Sequence, residues 1–176
     1  RGIAAFCGPA GMRAAPDRLF EYTQGDPPPG GRSLDDPSRD DPAPDDRRQL
    51  FADVSLAAGL EDHVPAFGLG AVAGDLDEDG DADLYVANDA TPNFLYRNQR
   101  SERQRSEVVG WPGLLQQMGD EAGVAVSADG RRQAGMGISI GDIDADGRTD
   151  LLVSNFSHDH VSLYRQQKES LHFRET

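Results

Sequence analysis

The chain has 176 residues, a formal net charge of −14 and a hydrophobic fraction of 37%. Its length is enough for one domain. The negative charge disfavours nucleic acids and anionic membranes as partners, because both are polyanions. No apolar run approaches the roughly 20 residues that a membrane-spanning helix needs, so we expect no membrane insertion either.

The first residues carry two features that leave alternatives open. The sequence begins at Arg1 rather than Met, which indicates a processed or excised piece. Cys7 is the only cysteine. It is either a buried free thiol or one half of a pair whose partner lies outside this sequence, so cysteine usage does not indicate the redox compartment.

The next segment to stand out is residues 25–48, which are rich in proline, glycine and paired aspartates. They contain Pro27-Pro28-Pro29 and almost no apolar side chains. Such a composition cannot bury enough surface to offset the entropy of ordering the chain. We therefore predict a disordered, solvated insertion.

A nine-residue acidic motif then occurs twice, at residues 75–83 and 142–150. Each copy places aspartates at loop positions 1, 3, 5 and 9 and a glycine at position 6. Alternate side chains of a tight turn converge on one point, and oxygen-only ligands at that density suit a hard cation such as calcium. The aspartates are Asp75, Asp77, Asp79 and Asp83 in the first copy, and Asp142, Asp144, Asp146 and Asp150 in the second.

The sequences that flank the two motifs also repeat. The matched pairs are residues 70–75 with 137–142, residues 83–88 with 150–155, and residues 94–97 with 162–165. Similarity at a fixed period is the signature of a repeat architecture. Two copies in matching contexts therefore argue against a simple polar turn.

Each copy is predicted to form short β-strands rather than helices. Residues 70–74 are small and apolar, which indicates a buried strand. Residues 84–87 are rich in strand-favouring side chains, and residues 93–97 form a third strand. Two such strands joined by a tight loop predict a β-hairpin around each acidic motif.

A fourth strand with the pattern Phe/Met-x-Asp/Glu is predicted to begin at Phe51, Met118 and Phe173. Residues 98–117 then form a second expanded connection. Four segments result. They are the end of a preceding unit at 1–24, the insertion at 25–48, a unit with the first acidic loop at 49–125, and a unit with the second loop at 126–176, which ends at the start of a further strand.

These motifs resemble the FG-GAP/VCBS repeat, from which integrin-α-like β-propellers are built. The resemblance rests on residues 74–88 and on the motif Asn93-Phe-Leu-Tyr-Arg-Asn98. Shorter motifs, such as Cys7-Gly-Pro-Ala-Gly and Gln133-Ala-Gly-Met-Gly137, are similar to the cartilage-acidic-protein-like, ASPIC/UnbV-associated branch. The resemblance implies an all-β fold, a partial β-propeller of four-stranded blades with one calcium ion in the first hairpin loop of each such blade.

Two calcium ions and their ligands follow from the resemblance by position. The first loop would bind through Asp75, Asp77, Asp79, the main-chain carbonyl of Asp81, and Asp83. The second would use Asp142, Asp144, Asp146, the main-chain carbonyl of Arg148, and Asp150. An arginine at position 7 is compatible with this, because that position contributes only its main-chain oxygen.

The implied function is a non-catalytic, calcium-stabilised scaffold or binding module for a protein or glycan ligand. Loops of this kind in extracellular modules bind calcium with dissociation constants on the order of 10⁻⁴ M or weaker. That affinity would leave the loops empty in the cytosol and filled outside it. We therefore expect an extracellular or periplasmic, secreted protein.

Two other functions are compatible with parts of the sequence. An EF-hand sensor needs a bidentate glutamate at position 12, where this chain has Val86 and Val153. The alternative is a fragment of a propeller-based secreted enzyme, a hydrolase or lyase, with its active site elsewhere. The residues suggestive of catalysis are His63, His158, Asp159 and His160, for which a polar turn is the favoured interpretation.

Overall fold

The structure, a computed structural model, describes residues 13–23, 50–60, 65–100, 114–156, 159–168 and 171–176. The predictions for Cys7, for the insertion at residues 25–48, and for His63 and His158 lie outside these ranges. Within them the chain is built from β-strands and two single helical turns, which confirms the all-β prediction. No helix in the described part of the chain is long and apolar enough to cross a membrane.

The elements follow one another in two similar series. The strands are β1 (Phe20–Thr23), β2 (Leu50–Asp53), β3 (Gly68–Gly74), β4 (Asp83–Asn88), β5 (Phe94–Asn98), β6 (Leu115–Gln117), β7 (Gly135–Gly141), β8 (Asp150–Asn155), β9 (Ser162–Gln166) and β10 (Phe173–Glu175). The helical turns are α1 (Ser55–Ala58), which follows β2, and α2 (Gly119–Ala122), which follows β6.

The repeated sequence folds into two repeated sheets. Both are four-stranded and antiparallel, one in the order β3-β4-β5-β6 and the other in the order β7-β8-β9-β10. Leu84 pairs with Tyr96 in the first sheet, and Leu151 pairs with Tyr164 at the same place in the second. The pairing register of the first two strands also shifts at the same place in each sheet, between Gly68 and Gly70 and between Gly135 and Gly137. Strands β1 and β2 form a separate two-stranded antiparallel sheet.

The predicted start of the fourth strand is right for two copies and wrong for the third. Phe51 lies in β2 and Phe173 begins β10, but β6 ends before Met118, which caps the helical turn α2. Gly59 and Gly123 end α1 and α2 in the left-handed conformation, so these two glycines set the true correspondence. The alignment of Phe51 with Met118 placed the predicted fourth strand three residues too late. As a result, β6 lies inside residues 98–117, which were predicted to be a connection.

The prediction of a buried strand at residues 70–74 is corrected in one respect. A strand is present, but its residues alternate between exposed and half-buried positions, and Leu69 is 55% exposed. The reason is that β3 is an edge strand, which packs against β7 through small residues. A Cβ atom on Gly70 would lie 2.3 Å from the carbonyl oxygen of Met136, so this approach requires glycine.

The main hydrophobic core lies between the two four-stranded sheets. Tyr85, Ala87 and Leu95 of the first sheet are fully buried in one cluster with side chains of the second. Those partners are Leu151, Val153, Tyr164 and Phe173. Because side chains alternate along a strand, Val86, Phe94 and Tyr96 point to the opposite face, where they meet Leu60 and Ala66. The first sheet is therefore covered on both faces, and the second stacks directly on it.

Candidate metal centre

Each acidic motif forms the hairpin loop between the first two strands of its sheet. The first loop joins β3 to β4, and the second joins β7 to β8. Glu78 and Ala145 both have φ of 60°, while Gly80 and Gly147 have φ of 93° and 87°. Glycine adopts this left-handed region without steric cost, so it allows the chain to turn at position 6 of each loop.

Three carboxylates of each loop converge, as the ligand spacing predicts. Each offers one oxygen atom, and the three atoms lie within 4.8 Å of one another. The groups are Asp75, Asp77 and Asp83 in the first loop, and Asp142, Asp144 and Asp150 in the second. Two carboxylates at about 4 Å repel by about 1 kcal/mol even at the dielectric constant of water. A bound cation would turn this repulsion into attraction.

The first aspartate of each loop also organises the turn. Asp75 accepts hydrogen bonds from the main-chain N–H groups of Asp79 and Gly80, both at 3.1 Å. Asp142 accepts from Asp146 and Gly147, both at 3.0 Å. The first aspartate therefore makes the same two hydrogen bonds in both loops.

The fifth-position aspartates lie outside the converging groups. Oδ1 of Asp79 accepts from the main-chain N–H of Asp81 at 2.9 Å, and Oδ1 of Asp146 accepts from that of Arg148 at the same distance. These contacts direct one oxygen of each carboxylate towards the backbone. Metal ligation by Asp79 and Asp146, and by the main-chain carbonyls of Asp81 and Arg148, stays a prediction.

The last aspartate of each loop is buried and fixed by the backbone. Asp83 is fully buried and accepts hydrogen bonds from the N–H groups of Leu76 at 2.9 Å and Asn98 at 2.8 Å. Burial, together with the charges of Asp77 and Asp79, raises the pKa of Asp83 to about 6 against the effect of these hydrogen bonds. An ionised Asp83 therefore lies in surroundings that favour an additional positive charge.

Asp150 occupies the equivalent buried position in the second loop. It accepts hydrogen bonds from the N–H groups of Ile143 at 3.1 Å and Gln166 at 3.0 Å. Each ninth-position aspartate thus ties its own loop to the end of the third strand. This contact places one carboxylate of each converging group on the sheet rather than on the turn.

An arginine from the third strand contacts the third-position aspartate of each loop. Arg97 donates from Nε to Oδ2 of Asp77 at 2.7 Å, and Arg165 pairs through Nη1 with Oδ2 of Asp144 at 3.0 Å. The carboxylate of Asp77 is almost fully buried by this arrangement. Sequence reasoning missed this role, although the repeated Leu-Tyr-Arg motif carried the signal.

The donor set of each loop fits a hard divalent cation. It consists of carboxylate oxygens alone, which calcium and magnesium prefer. Val86 and Val153, at position 12, lie buried in β4 and β8, and strands rather than helices flank both loops. The arrangement therefore differs from an EF-hand in the two features that define that motif.

The residues considered for catalysis form structural contacts where they are described. Asp159 accepts a hydrogen bond from the N–H of Ala134 at 2.9 Å. A ring nitrogen of His160 lies 3.2 Å from Glu175, and its ring is 3.4 Å from the amide of Gln133. Both side chains thus contact the segment that leads into β7.

Comparison with known families places a repeat on this part of the chain. A family model described as an FG-GAP-like repeat matches residues 75–153. The match begins at the first aspartate of the first loop and ends within β8, so it includes both acidic loops. No curated protein is matched by the sequence. The FG-GAP repeat class is thereby supported, whereas the ASPIC/UnbV branch stays a prediction.

Proposed function

We propose that the chain is a calcium-binding β-propeller module that acts as a non-catalytic scaffold or as a binding domain for a protein or glycan. The observation that carries the proposal is the repetition of one converging carboxylate group at the same place in two stacked sheets. A single acidic turn would be weak support. Two turns in which the first aspartate accepts the same pair of main-chain hydrogen bonds, inside a match to an FG-GAP-like repeat, are much stronger support.

The chemical role of the proposed ion is charge compensation. In the first loop, Asp75 and Asp77 lie just after β3, and Asp83 begins β4. A cation held by all three would join the two strands, and its binding energy would become folding energy. Through the hydrogen bond from Asn98, Asp83 extends this link to the end of β5. The second loop has the same arrangement around Asp150.

The partly exposed outer face of the second sheet is an argument for a propeller architecture. Leu152 and Leu163 pair in register, as Tyr85 and Leu95 do in the first sheet. Tyr85 and Leu95 are fully buried because the second sheet covers them, whereas Leu152 and Leu163 are only half-buried. We therefore propose that a further blade of the same kind covers this face and that the chain is a partial β-propeller.

The expected calcium affinity supports a location outside the cytosol. Dissociation constants on the order of 10⁻⁴ M suit extracellular calcium levels. A secreted or periplasmic module would keep both loops filled with calcium. We also propose that the chain is a member of the ASPIC/UnbV-associated branch, which agrees with such a location. Its partner would be a protein or a glycan.

Calorimetric titration of the full chain with calcium tests the proposed function. We expect two sites and a higher melting temperature in calcium than in chelator. Magnesium at the same concentration should have a smaller effect, because it dehydrates reluctantly and demands near-octahedral geometry. Absence of binding at millimolar calcium would rule out the metal-binding role, but it would not contradict the all-β fold.

A further inference from the structure

The two acidic loops differ in charge at position 7. The first loop, residues 75–83, contains six acidic residues and no basic one, with Asp81 at position 7. The second loop, residues 142–150, contains four acidic residues and Arg148 at that position. Only the main-chain oxygen of position 7 is a candidate ligand, so its side chain can change the charge of the loop without removing a ligand.

Arg148 is held against its own loop by contacts from two directions. Its Nη2 donates to Oδ2 of Asp146, and its Nε donates to the main-chain carbonyl of Gln166 at 3.1 Å. Its main-chain N–H donates to Oδ1 of Asp146 at 2.9 Å, and its side chain is 34% exposed. The guanidinium is therefore oriented towards the fifth-position carboxylate rather than extended into solvent.

A second guanidinium reaches each loop but does not distinguish the two. Arg165 contacts Asp144 in the second loop, and Arg97 contacts Asp77 in the first. Because this pairing is common to both copies, it does not account for the charge difference. That difference lies at position 4, where the first loop has Glu78 and the second has Ala145, and at position 7, where the exchange of Asp81 for Arg148 is the larger change in charge. A positive charge fixed within a few ångströms of the carboxylates lowers their mutual repulsion and repels an incoming cation.

We infer that Arg148 is an internal counter-ion of the second loop, so that the two proposed calcium sites are unequal. This inference rests on the proposed function. The first loop depends on the bound cation for its charge balance and fills first as calcium rises. The second loop keeps its shape at lower calcium, because the guanidinium already compensates part of its charge, and it binds calcium more weakly. The module therefore responds to calcium in two steps.

Reciprocal substitution at position 7 tests this assignment. Each site is measured by calcium calorimetry in a background that lacks the other, with Asp142→Ala isolating the first loop and Asp75→Ala the second. Arg148→Asp is expected to tighten binding at the second loop by about tenfold, and Asp81→Arg to weaken the first loop by a similar factor. Both changes should shrink at high salt, since they act through charge.

Matched variants separate charge from shape. Arg148→Lys keeps the positive charge and should leave the affinity of the second loop within about threefold of the original. Arg148→Gln and Asp81→Asn remove one charge each and should produce intermediate changes. If Arg148→Lys tightened calcium binding at the second loop as much as Arg148→Asp does, the role of charge would be overturned.

The melting temperature in chelator supplies a readout that does not depend on a bound ion. Arg148→Asp should melt at a lower temperature than the original chain in chelator and recover in saturating calcium. Equal losses in chelator and in calcium would overturn the inference, because they would show a purely structural role. Two sites of equal affinity that neither substitution alters would also overturn it while leaving the proposed function intact. No calcium binding by the unsubstituted chain would overturn both.

Discussion

Gln166 donates a hydrogen bond from its side-chain amide to the main-chain carbonyl of Leu76, so a residue of the second sheet holds the first acidic loop. The same side chain accepts from the N–H of Thr149 at 3.1 Å, and its own N–H donates to Asp150 at 3.0 Å. Leu76 in turn donates to Asp83. One buried glutamine therefore connects the ninth-position aspartates of both loops.

Gln166→Ala should destabilise the protein and weaken the connection between the loops. The substitution leaves the buried carbonyl of Leu76 and the N–H of Thr149 without these partners, which costs about 1–3 kcal/mol in the free energy of unfolding. Urea unfolding in chelator measures the change. Gln167→Ala is the matched control, since Gln167 follows β9 and its side-chain amide donates to the carbonyl of Arg165, only two residues earlier. Equal losses in the two variants would contradict the cross-sheet role.

Asp77→Ala and Asp144→Ala should each remove one calcium site. Each aspartate belongs to a converging carboxylate group, so the substitution removes one of its three oxygens. Calorimetry should find one remaining site in each variant, and the rise in melting temperature from chelator to calcium should be smaller than for the unsubstituted chain. Glu121→Ala, an exposed position in α2, should change neither measurement. Two intact sites in either variant would contradict the ligand assignment.

Leu151→Ala and Leu152→Ala should differ, because neighbouring residues of β8 point to opposite faces. Leu151 is fully buried between the sheets, whereas Leu152 lies half-buried on the outer face. Loss of Leu151 should cost about 2–5 kcal/mol in the free energy of unfolding. The cost at Leu152 should be smaller in this chain. Chemical denaturation of both variants checks this order. A larger loss of stability in Leu152→Ala would contradict the assignment of the core to the face of β8 that carries Leu151.

Asp53 should stabilise the fold in a manner that depends on pH. Burial raises the pKa of Asp53, but hydrogen bonds from Ser55 and the guanidinium of Arg18 outweigh that effect and hold the pKa below the ordinary value of 3.8. Because the folded-state pKa is the lower one, the contribution is present above pH 3.8 and is lost as the pH falls through the folded-state pKa.

Comparison with Asp53→Asn measures that contribution. In chelator, the difference in urea midpoint between the original chain and the variant should be full at about pH 6 and shrink as the pH falls from 3.8 through the lower folded-state pKa. Glu121→Gln provides the exposed carboxylate control. A difference that stays constant across this range would show that the charge of Asp53 does not contribute.

The sequence alone was sufficient for the elements that depend on local spacing. The positions of the two loops follow from alternate aspartates and a glycine, because a tight turn brings such side chains together without help from distant residues. The strands around Tyr85 and Leu151 follow from the repeat and from strand-favouring side chains. The match of residues 75–153 to an FG-GAP-like repeat agrees with that interpretation.

Errors arose where the local pattern was ambiguous. Met118 begins a motif that resembles the one at Phe51, yet Met118 caps a helical turn instead of starting a strand. Gly59 ends α1 and Gly123 ends α2, and aligning these two glycines matches Met118 with Val54, the cap of α1. Residues 70–74 look buried by composition. They are half-exposed because small residues were needed for the close approach to β7 rather than for burial.

Contacts between distant parts of the chain were decided only by the tertiary structure. The pairing of Arg97 with Asp77 spans 20 residues, and that of Gln166 with Leu76 spans 90. Such contacts depend on which strand lies beside a loop and which sheet stacks on which face, and no spacing rule within one motif encodes them. Local sequence thus determined that two acidic loops form, whereas the stacking of the sheets decided which charges and hydrogen bonds surround each loop.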